Sequence, residues 1–411
     1  MRREKKGSLS EMLELNKIYN MDCLDGMKLL DDNSVDSIVT DPPYELGFMG
    51  KKWDSTGIAY NVELWKECLR VLKPGGHLLA FGGTRTYHRM TCAIEDAGFE
   101  IRDCIQWLYG SGFPKSHNIS KAIDKRLGAK RKVVGVKQHS TNFDNAMKNR
   151  TGYLQDDANK NNTKCFGYGK EEITIAATPE AQQWDGWGTG LKPANEPIVV
   201  ARKPISEKTI ADNVLKWGTG GINIDDCRIE LNGDYKCKAN GRPSLTGLCD
   251  NYDPSKANQP DTQGRFPANV ILDEEAGRML DEQSGILKSG ALKPYQENHQ
   301  NASSYKMNRY KTFVQPANEG GASRFFYCAK ASKKERGEGN THPTVKPLSL
   351  IKYLITLVTP LNGICLDPFE GSGTHQRACI ALGFNYIGFE IDKDYFKIIQ
   401  SRADNVQIKM V

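Results

Sequence analysis

"GICLDPFEGSGTHQRACIALGFNYIGFEID", residues 363–392, is the stretch whose reading decides the fold. A short apolar run meets a glycine-rich turn, a helical pattern follows in "THQRACIALGF", and a second apolar run ends at Glu390. Strand, loop, helix and strand in so short a span form a βαβ unit, the building block of a parallel sheet with helices on its faces. Gly371 and Gly373 lie between strand and helix, where unpaired backbone N–H groups face an anionic or polar ligand. Glu390 stands where an acid accepts hydrogen bonds from ribose hydroxyls. A structural tight turn explains such a pair of signals about as often. The third glycine of the dinucleotide fingerprint is missing, because Gln376 occupies its place, so a nucleoside without pyrophosphate fits better than NAD.

The same rhythm continues outward. "KIYNMD" (17–22), "SVDSIVTD" (34–41), "GHLLAFGG" (76–83) and "EIRDCIQWLY" (100–109) read as strands. "NVELWKECLRVLKPGG" (61–76) and "RMTCAIEDAGF" (89–99) read as helices between them, and "KDYFKIIQSRAD" (393–404) as a last helix. "NEPIVVARKP" (195–204) is one further strand, set between polar, loop-rich segments such as "DNAMKNRTGYLQDDANKNNTKCFGYGK" (144–170) and "QENHQNASSYKMNRYK" (296–311). The layout predicted is a single α/β sheet assembled from both chain ends. Residues 11–110 and 341–411 form its halves and 195–204 a core strand, with 111–194 and 205–340 as insertions.

Among 411 residues, 56 Lys and Arg against 50 Asp and Glu give a formal charge of +6, a mild bias towards anionic partners. Eleven cysteines without a CxxC pair, and seven histidines without metal-ligand spacing, argue for reduced buried thiols over a disulfide framework or zinc site. No apolar h-region follows the basic start and no long apolar run occurs, so the reading is a soluble cytoplasmic protein with no membrane partner.

"IVTDPPYELGFMGKKWD" (38–54) breaks the pattern. Two prolines give up two backbone donors and fix φ, so the corner after the strand is a rigid loop. Together, Asp41-Pro42-Pro43-Tyr44, "LDPFEGSGT" (366–374) and "THPTVKPLSLIKYL" (341–354) resemble the S-adenosylmethionine-dependent DNA amino-methyltransferases. The motif order resembles the β class, in which the catalytic corner precedes the target-recognition region and the cofactor loop lies near the C-terminus. "GWGTGLKPANEPIVVARKP" (186–204), "GTGGINIDDC" (218–227) and "RFFYCAKASKKER" (324–336) resemble its phage and prophage branch.

The resemblance implies a seven-stranded, mostly parallel, doubly wound sheet with permuted motif order, and a target-recognition region within 205–340. It implies S-adenosyl-L-methionine as methyl donor, double-stranded DNA as substrate, and a bacterial or phage origin, with monomer and homodimer both open. By the same likeness, Asp41 and Pro42 hold a base amino group, Pro43 stiffens the corner and Tyr44 stacks on the flipped base. Asp367, Phe369, Gly371, Gly373 and Glu390 form the cofactor loop, and Thr344 and Lys346 lie near the methionine carboxylate. Asp22 resembles the acid near the adenine, with a helix cap as the alternative. Two departures stand out: Glu370 replaces a usually small residue and His375 a second threonine.

An exocyclic amine is a poor nucleophile because its lone pair is delocalised. A fixed carboxylate and a fixed carbonyl localise it by accepting its two N–H groups, and preorganised acceptors need not rearrange during reaction. Methyl transfer is then an in-line displacement without a metal. Aspartate at the first corner position usually accompanies adenine N6 enzymes, so adenine is favoured and cytosine N4 is the alternative. An RNA or protein amide methyltransferase and an inactive nucleic-acid-binding relative are further alternatives; the intact Asp41, Tyr44, Gly371, Gly373 and Glu390 oppose the last. His342 reads as structural, and Trp53 with Lys51 and Lys52 as a loop with one packed indole rather than a DNA path.

Overall fold

Val35–Thr40, sequence VDSIVT, is buried along its whole length, although half of its residues are polar or charged. Only a strand covered on both faces and paired on both edges tolerates that, and the side chains find partners: Ser37 bonds Thr359, and Thr40 bonds Asp367. A computed structural model describes residues 13–47, 52–110, 112, 116–137, 171–229, 264–289, 318–329, 340, 342 and 344–403. The polar runs 144–170 and 296–311, and Lys51, lie outside these.

The described residues divide between two compact units, Met1–Ser111 with Ala194–Val411, and Gly112–Pro193. In chain order the first begins with β1 (Lys17–Tyr19), α1 (Cys23–Met27), β2 (Val35–Thr40), α2 (Val62–Val71), β3 (Leu72–Phe81), α3 (Tyr87–Asp96) and β4 (Glu100–Leu108). The second holds α4 (Ile119–Arg126), β5 (Lys132–Lys137), β6 (Glu171–Ile175) and α5 (Pro179–Gln183), with β5 and β6 antiparallel. The first resumes with β7 (Asn195–Arg202), α6 (Ile210–Trp217), β8 (Val270–Asp273), α7 (Glu274–Ser284), β9 (Leu287–Ser289), β10 (Asn318–Gly320) and β11 (Tyr327–Ala329). It closes with α8 (Leu348–Val358), β12 (Ile364–Asp367), α9 (Thr374–Leu382), β13 (Asn385–Phe389) and α10 (Lys393–Ala403).

Among the described residues, nine strands share one sheet in the order β1-β13-β12-β2-β3-β7-β4-β8-β11. All neighbours are parallel except at β7, which is antiparallel to β3 and β4. The α/β, mostly parallel architecture is the one expected, and the segments read as strands supply its first seven members. The other two correct the expectation that 205–340 lies outside the sheet. β8 pairs with β4, and β11 pairs with β8, so short apolar pieces of that segment extend the edge.

Alternation along the strands divides two cores. Ile38, Leu78, Ala80, Val199 and Ala201 face α1, α2 and α3, where Trp65 and Met27 are fully buried. Val39, Leu79, Phe81, Ile198 and Val200 face α8 and α9. Both faces are dry, which explains why these strands read as continuous apolar runs. No helix among the described residues is long and apolar enough to cross a membrane.

One polar contact pins α6 to the sheet. Asn213, fully buried, donates to the carbonyls of Pro74 and Thr219, each at 2.8 Å, and accepts from Ser206 N at 3.1 Å. Gly75 is left-handed (φ +81°), and a Cβ there would come within 2.5 Å of the Asn213 amide. Asn213→Ala should therefore cost about 1–3 kcal/mol, because the Thr219 carbonyl loses its amide donor while the Pro74 carbonyl keeps the Thr219 hydroxyl at 2.6 Å; urea denaturation of the full chain measures it.

Candidate active site

Parallel strands bring their carboxyl ends to one rim of the sheet, and the residues of interest gather there. Asn20 follows β1 and bonds the Glu390 carbonyl at 2.7 Å; Glu390 follows β13, Asp367 ends β12, and Asp41 follows β2. Because β7 runs the other way, its first residues reach the same rim, and Glu196 arrives beside the corner. Thr40 Oγ1 donates to Asp367 Oδ1 at 2.6 Å, tying the glycine loop to the corner.

At the corner, Lys346 Nζ lies 2.6 Å from Asp41 Oδ2 and 3.3 Å from Glu196 Oε2. The same ammonium sits over the rings of Tyr44 (5.2 Å) and Phe81 (4.9 Å). Burial alone would lower the Lys346 pKa, but the two carboxylates outweigh it and hold the ammonium above its usual range. Lys346 thus sits on the corner acid, a contact that the sequence reading did not include. Tyr44 donates its hydroxyl to Glu196 Oε2 at 2.7 Å, and burial followed by the Asp41 and Glu196 charges holds that phenol well above its ordinary pKa. Asp41 Oδ1 is buried with no hydrogen-bond partner. A buried carboxylate oxygen left unpaired is costly, and none of the described residues supplies its donor.

The loop beyond Tyr44 is locked by a reciprocal pair. Buried Asp54 accepts from the amides of Glu45 (3.0 Å) and Leu46 (3.2 Å), and Glu45 accepts from Gly57 N at 2.8 Å. Glu45 holds a left-handed conformation (φ +55°), a cost of order 1–3 kcal/mol that these bonds offset. Thr86 Oγ1 caps the Tyr44 carbonyl at 2.7 Å. Trp53 stacks on His342 (6.3 Å, 20°), and His342 meets Tyr395 edge-on at 4.5 Å, so both read as packing residues.

In the glycine loop, Gly371 and Gly373 are left-handed (φ +59° and +81°), and a Cβ on Gly371 would meet His342 Nε2 at 3.2 Å. Glu390 accepts from Gly371 N (2.8 Å) and Asp392 N (2.7 Å), yet burial pushes its carboxyl up to about 7. Asp367, which also accepts from Phe369 N at 2.9 Å, is pushed up to about 8, first by burial and then by the Glu370 charge beside it. Glu370 turns away from the loop surface: Oε1 accepts from Gln376 N at 2.7 Å and Oε2 pairs with His375 Nδ1 at 3.0 Å. Thr344 is exposed, with its carbonyl 2.7 Å from His342 Nδ1. Asp22 takes the capping role, accepting from Leu24 N (2.8 Å) and Asp25 N (3.3 Å) at the start of α1.

A family model described as DNA methylase, of the N6/N4 methyltransferase type, matches residues 35–401. The chain belongs to this family. It is 23% identical over 428 aligned residues to the Type II methyltransferase M.HindIII of Haemophilus influenzae, covering 94% of each chain. Over 67 residues it is 42% identical to the DNA adenine methyltransferase YhdJ of Escherichia coli, covering 16% of this chain and 23% of that one. Among solved structures, the PvuII DNA methyltransferase (cytosine-N4-specific) aligns over 96% of this chain and 88% of that one, at 12% identity and a TM-score of 0.43.

The methyltransferase takes S-adenosyl-L-methionine as its methyl donor, and the rim fits a nucleoside of that kind. Two left-handed glycines turn the backbone where a Cβ would crowd His342 or Ile399, at 3.2 and 3.3 Å, and a carboxylate stands at the end of the neighbouring strand. Glu196, Asp54 and Thr86 were missed in the sequence. Glu196 is legible only once β7 is known to run antiparallel, and Asp54 only once the loop folds back. Asp54→Ala should cost about 1–3 kcal/mol by releasing two amides. It should also speed hydrogen exchange at residues 45–47 more than elsewhere on the rim, which exchange mass spectrometry reads directly.

Proposed function

We propose that this methyltransferase modifies a specific double-stranded DNA sequence at the exocyclic amino group of a flipped base, with adenine N6 as the methylated atom. The observation that carries the proposal is the Asp41 carboxylate, one oxygen held by Lys346 and the other buried without a partner. Oδ1 accepts one N–H of the target amine and the Pro42 carbonyl the other, drawing the nitrogen towards tetrahedral geometry and localising its lone pair. Tyr44, its hydroxyl anchored on Glu196, offers a ring on which the flipped base stacks, offsetting an extrusion cost of a few kcal/mol. When bound, S-adenosyl-L-methionine supplies an electrophilic methyl group. Glu390 would hold its ribose hydroxyls, and Gly371 and Gly373, with Asp367 and Phe369 beneath them, would cradle it. The segments 205–340 and 111–194 carry target choice, since the sheet must stay fixed for every target. Exposed Phe266 and Phe325 with Arg265 and Arg324 beside the Phe325 ring, at 4.9 and 4.5 Å, support that reading for the first.

The choice of adenine rests on aspartate at the first corner position, and cytosine N4 is the alternative, because the acceptors serve either amine. Mass spectrometry of nucleosides from DNA methylated by the protein decides it: N6-methyladenine is expected, and N4-methylcytosine alone would overturn the base while leaving the clamp. Asp41→Ala should lower turnover by roughly 10²-fold or more, the scale of one lost preorganised electrostatic contact. Fold and cofactor affinity should persist, since Lys346 keeps Glu196 as partner. Near-normal turnover would remove Asp41 from its assigned role.

Glu390 predicts a pH dependence. Its carboxyl is raised to about 7 in the folded chain, so below that pH it is mostly neutral and above it ionised. Ribose hydroxyls donate to the ionised form, so cofactor affinity should rise as pH increases through 7 and level off above it. Calorimetry across that range should show the slope in the wild type and its loss in Glu390→Gln, with affinity weaker by about 1–3 kcal/mol on the alkaline side.

A further inference from the structure

In the core where β12 packs on α9, three soft donors converge. Cys365 on β12 and His375 and Cys379 on α9 place their ligand atoms within 4.8 Å of one another, and all three are buried to 3% exposure or less. His375 and Cys379 are four apart on one helix face, and Cys365 points from its strand into the same core. Spacing alone hid this, because one donor lies ten residues upstream on another element. We propose that Cys365, His375 and Cys379 bind one thiophilic metal ion of the Zn2+ or Cu+ class, fastening the strand, loop and helix that cradle the cofactor.

The geometry supports a metal over a chance meeting in two ways. His375 Nε2 lies 3.5 Å from Cys379 Sγ. Zn–N of about 2.0–2.1 Å and Zn–S of about 2.3 Å at a tetrahedral angle give an N···S edge of about 3.5 Å. The other ring nitrogen, Nδ1, is 3.0 Å from Glu370 Oε2. A carboxylate on the far nitrogen of a metal-binding imidazole fixes its tautomer and leaves the near nitrogen's lone pair for the ion. Glu370 is itself held by Gln376 N at 2.7 Å, so the orienting group is in turn oriented. Two thiolates with one imidazole select Zn2+ or Cu+ over hard cations. Binding displaces the thiol protons to solvent, one per thiolate formed, with no change of oxidation state. Three donors leave a fourth position of Zn2+ to a water. The ion takes no part in methyl transfer.

The test uses the full chain, purified without a polyhistidine tag, and elemental analysis after loading with Zn2+ or, under reduction, Cu+ and desalting. About one equivalent of one of these ions per chain is expected, and which one is retained identifies the class member. Cobalt loading should give a thiolate-to-cobalt charge-transfer band, a readout that needs no variant. The double variant Glu370→Ala/His375→Thr, which restores a small residue and a threonine together and leaves no buried Glu370 carboxylate unpaired, and Cys379→Ser should both lose the ion. Glu370→Gln should weaken binding roughly 10–100-fold. Substoichiometric metal for both ions in folded wild type would overturn the proposal, leaving a hydrogen-bonded thiol–imidazole cluster. Undiminished binding in both ligand variants, or a Cys365–Cys379 disulfide by mass spectrometry, would overturn it equally. None of these readouts depends on methyl transfer, so they stand apart from the fate of the proposed reaction.

Discussion

A buried ammonium organises the corner. Taking Lys346 out of water costs several kcal/mol, and the site tolerates it because two carboxylates and two aromatic faces surround the charge. The constraint runs in every direction from there. Asp41 has one oxygen engaged and the other buried without a partner; Glu196 is held against Tyr44; the segment before α8 is fastened to the ends of β2 and β7. Removing Lys346 would leave both carboxylates without their cation, whereas losing Asp41 leaves Lys346 paired with Glu196. The antiparallel course of β7 is part of the same device, because only that direction brings Glu196 to the rim.

The two departures from the family pattern are one unit. Glu370 alone would place a buried charge beside Asp367, two carboxylates in a dry pocket with no lysine or arginine paired to either among the described residues. His375 supplies the partner. The carboxylate is then spent on His375 and on a backbone amide in the first turn of α9, where the helix dipole also favours an anion. The cofactor loop keeps its glycine geometry, and the extra charge lies beneath it.

Much of this was legible in the chain, and the rest was hidden for physical reasons. Strands such as 34–41 and 195–204 read true because both faces are buried, so tertiary packing and local pattern agree. β8 and β11 were obscured because their apolar runs, VILD and YCA, are shorter than the polar loops around them; pairing of β8 with β4 and of β11 with β8, not periodicity, makes them strands. Asp41 and Tyr44 were legible from the rigidity that two prolines impose. Lys346 was legible as a site residue but not as Asp41's partner, since 305 positions separate them and only the meeting of β2 with the segment before α8 joins them. The likeness to the family assigned Lys346 to the cofactor, and two half-buried acids add a corner contact that the likeness did not include.

Under the proposed reaction, the unsatisfied oxygen of Asp41 also bears on turnover. Before transfer the target amine has two N–H donors for two fixed acceptors, so binding it satisfies an oxygen that the protein's own residues leave unpaired. After transfer one hydrogen has been replaced by a methyl group, and one acceptor is stranded again. Leaving a buried acceptor unmade costs about 1–3 kcal/mol, or roughly 5–150-fold in affinity. The clamp therefore holds the product less tightly than the substrate and disfavours a second methylation. This discrimination needs no moving part; it follows from acceptors that Lys346, Asp54 and Thr86 prevent from adjusting to one donor fewer.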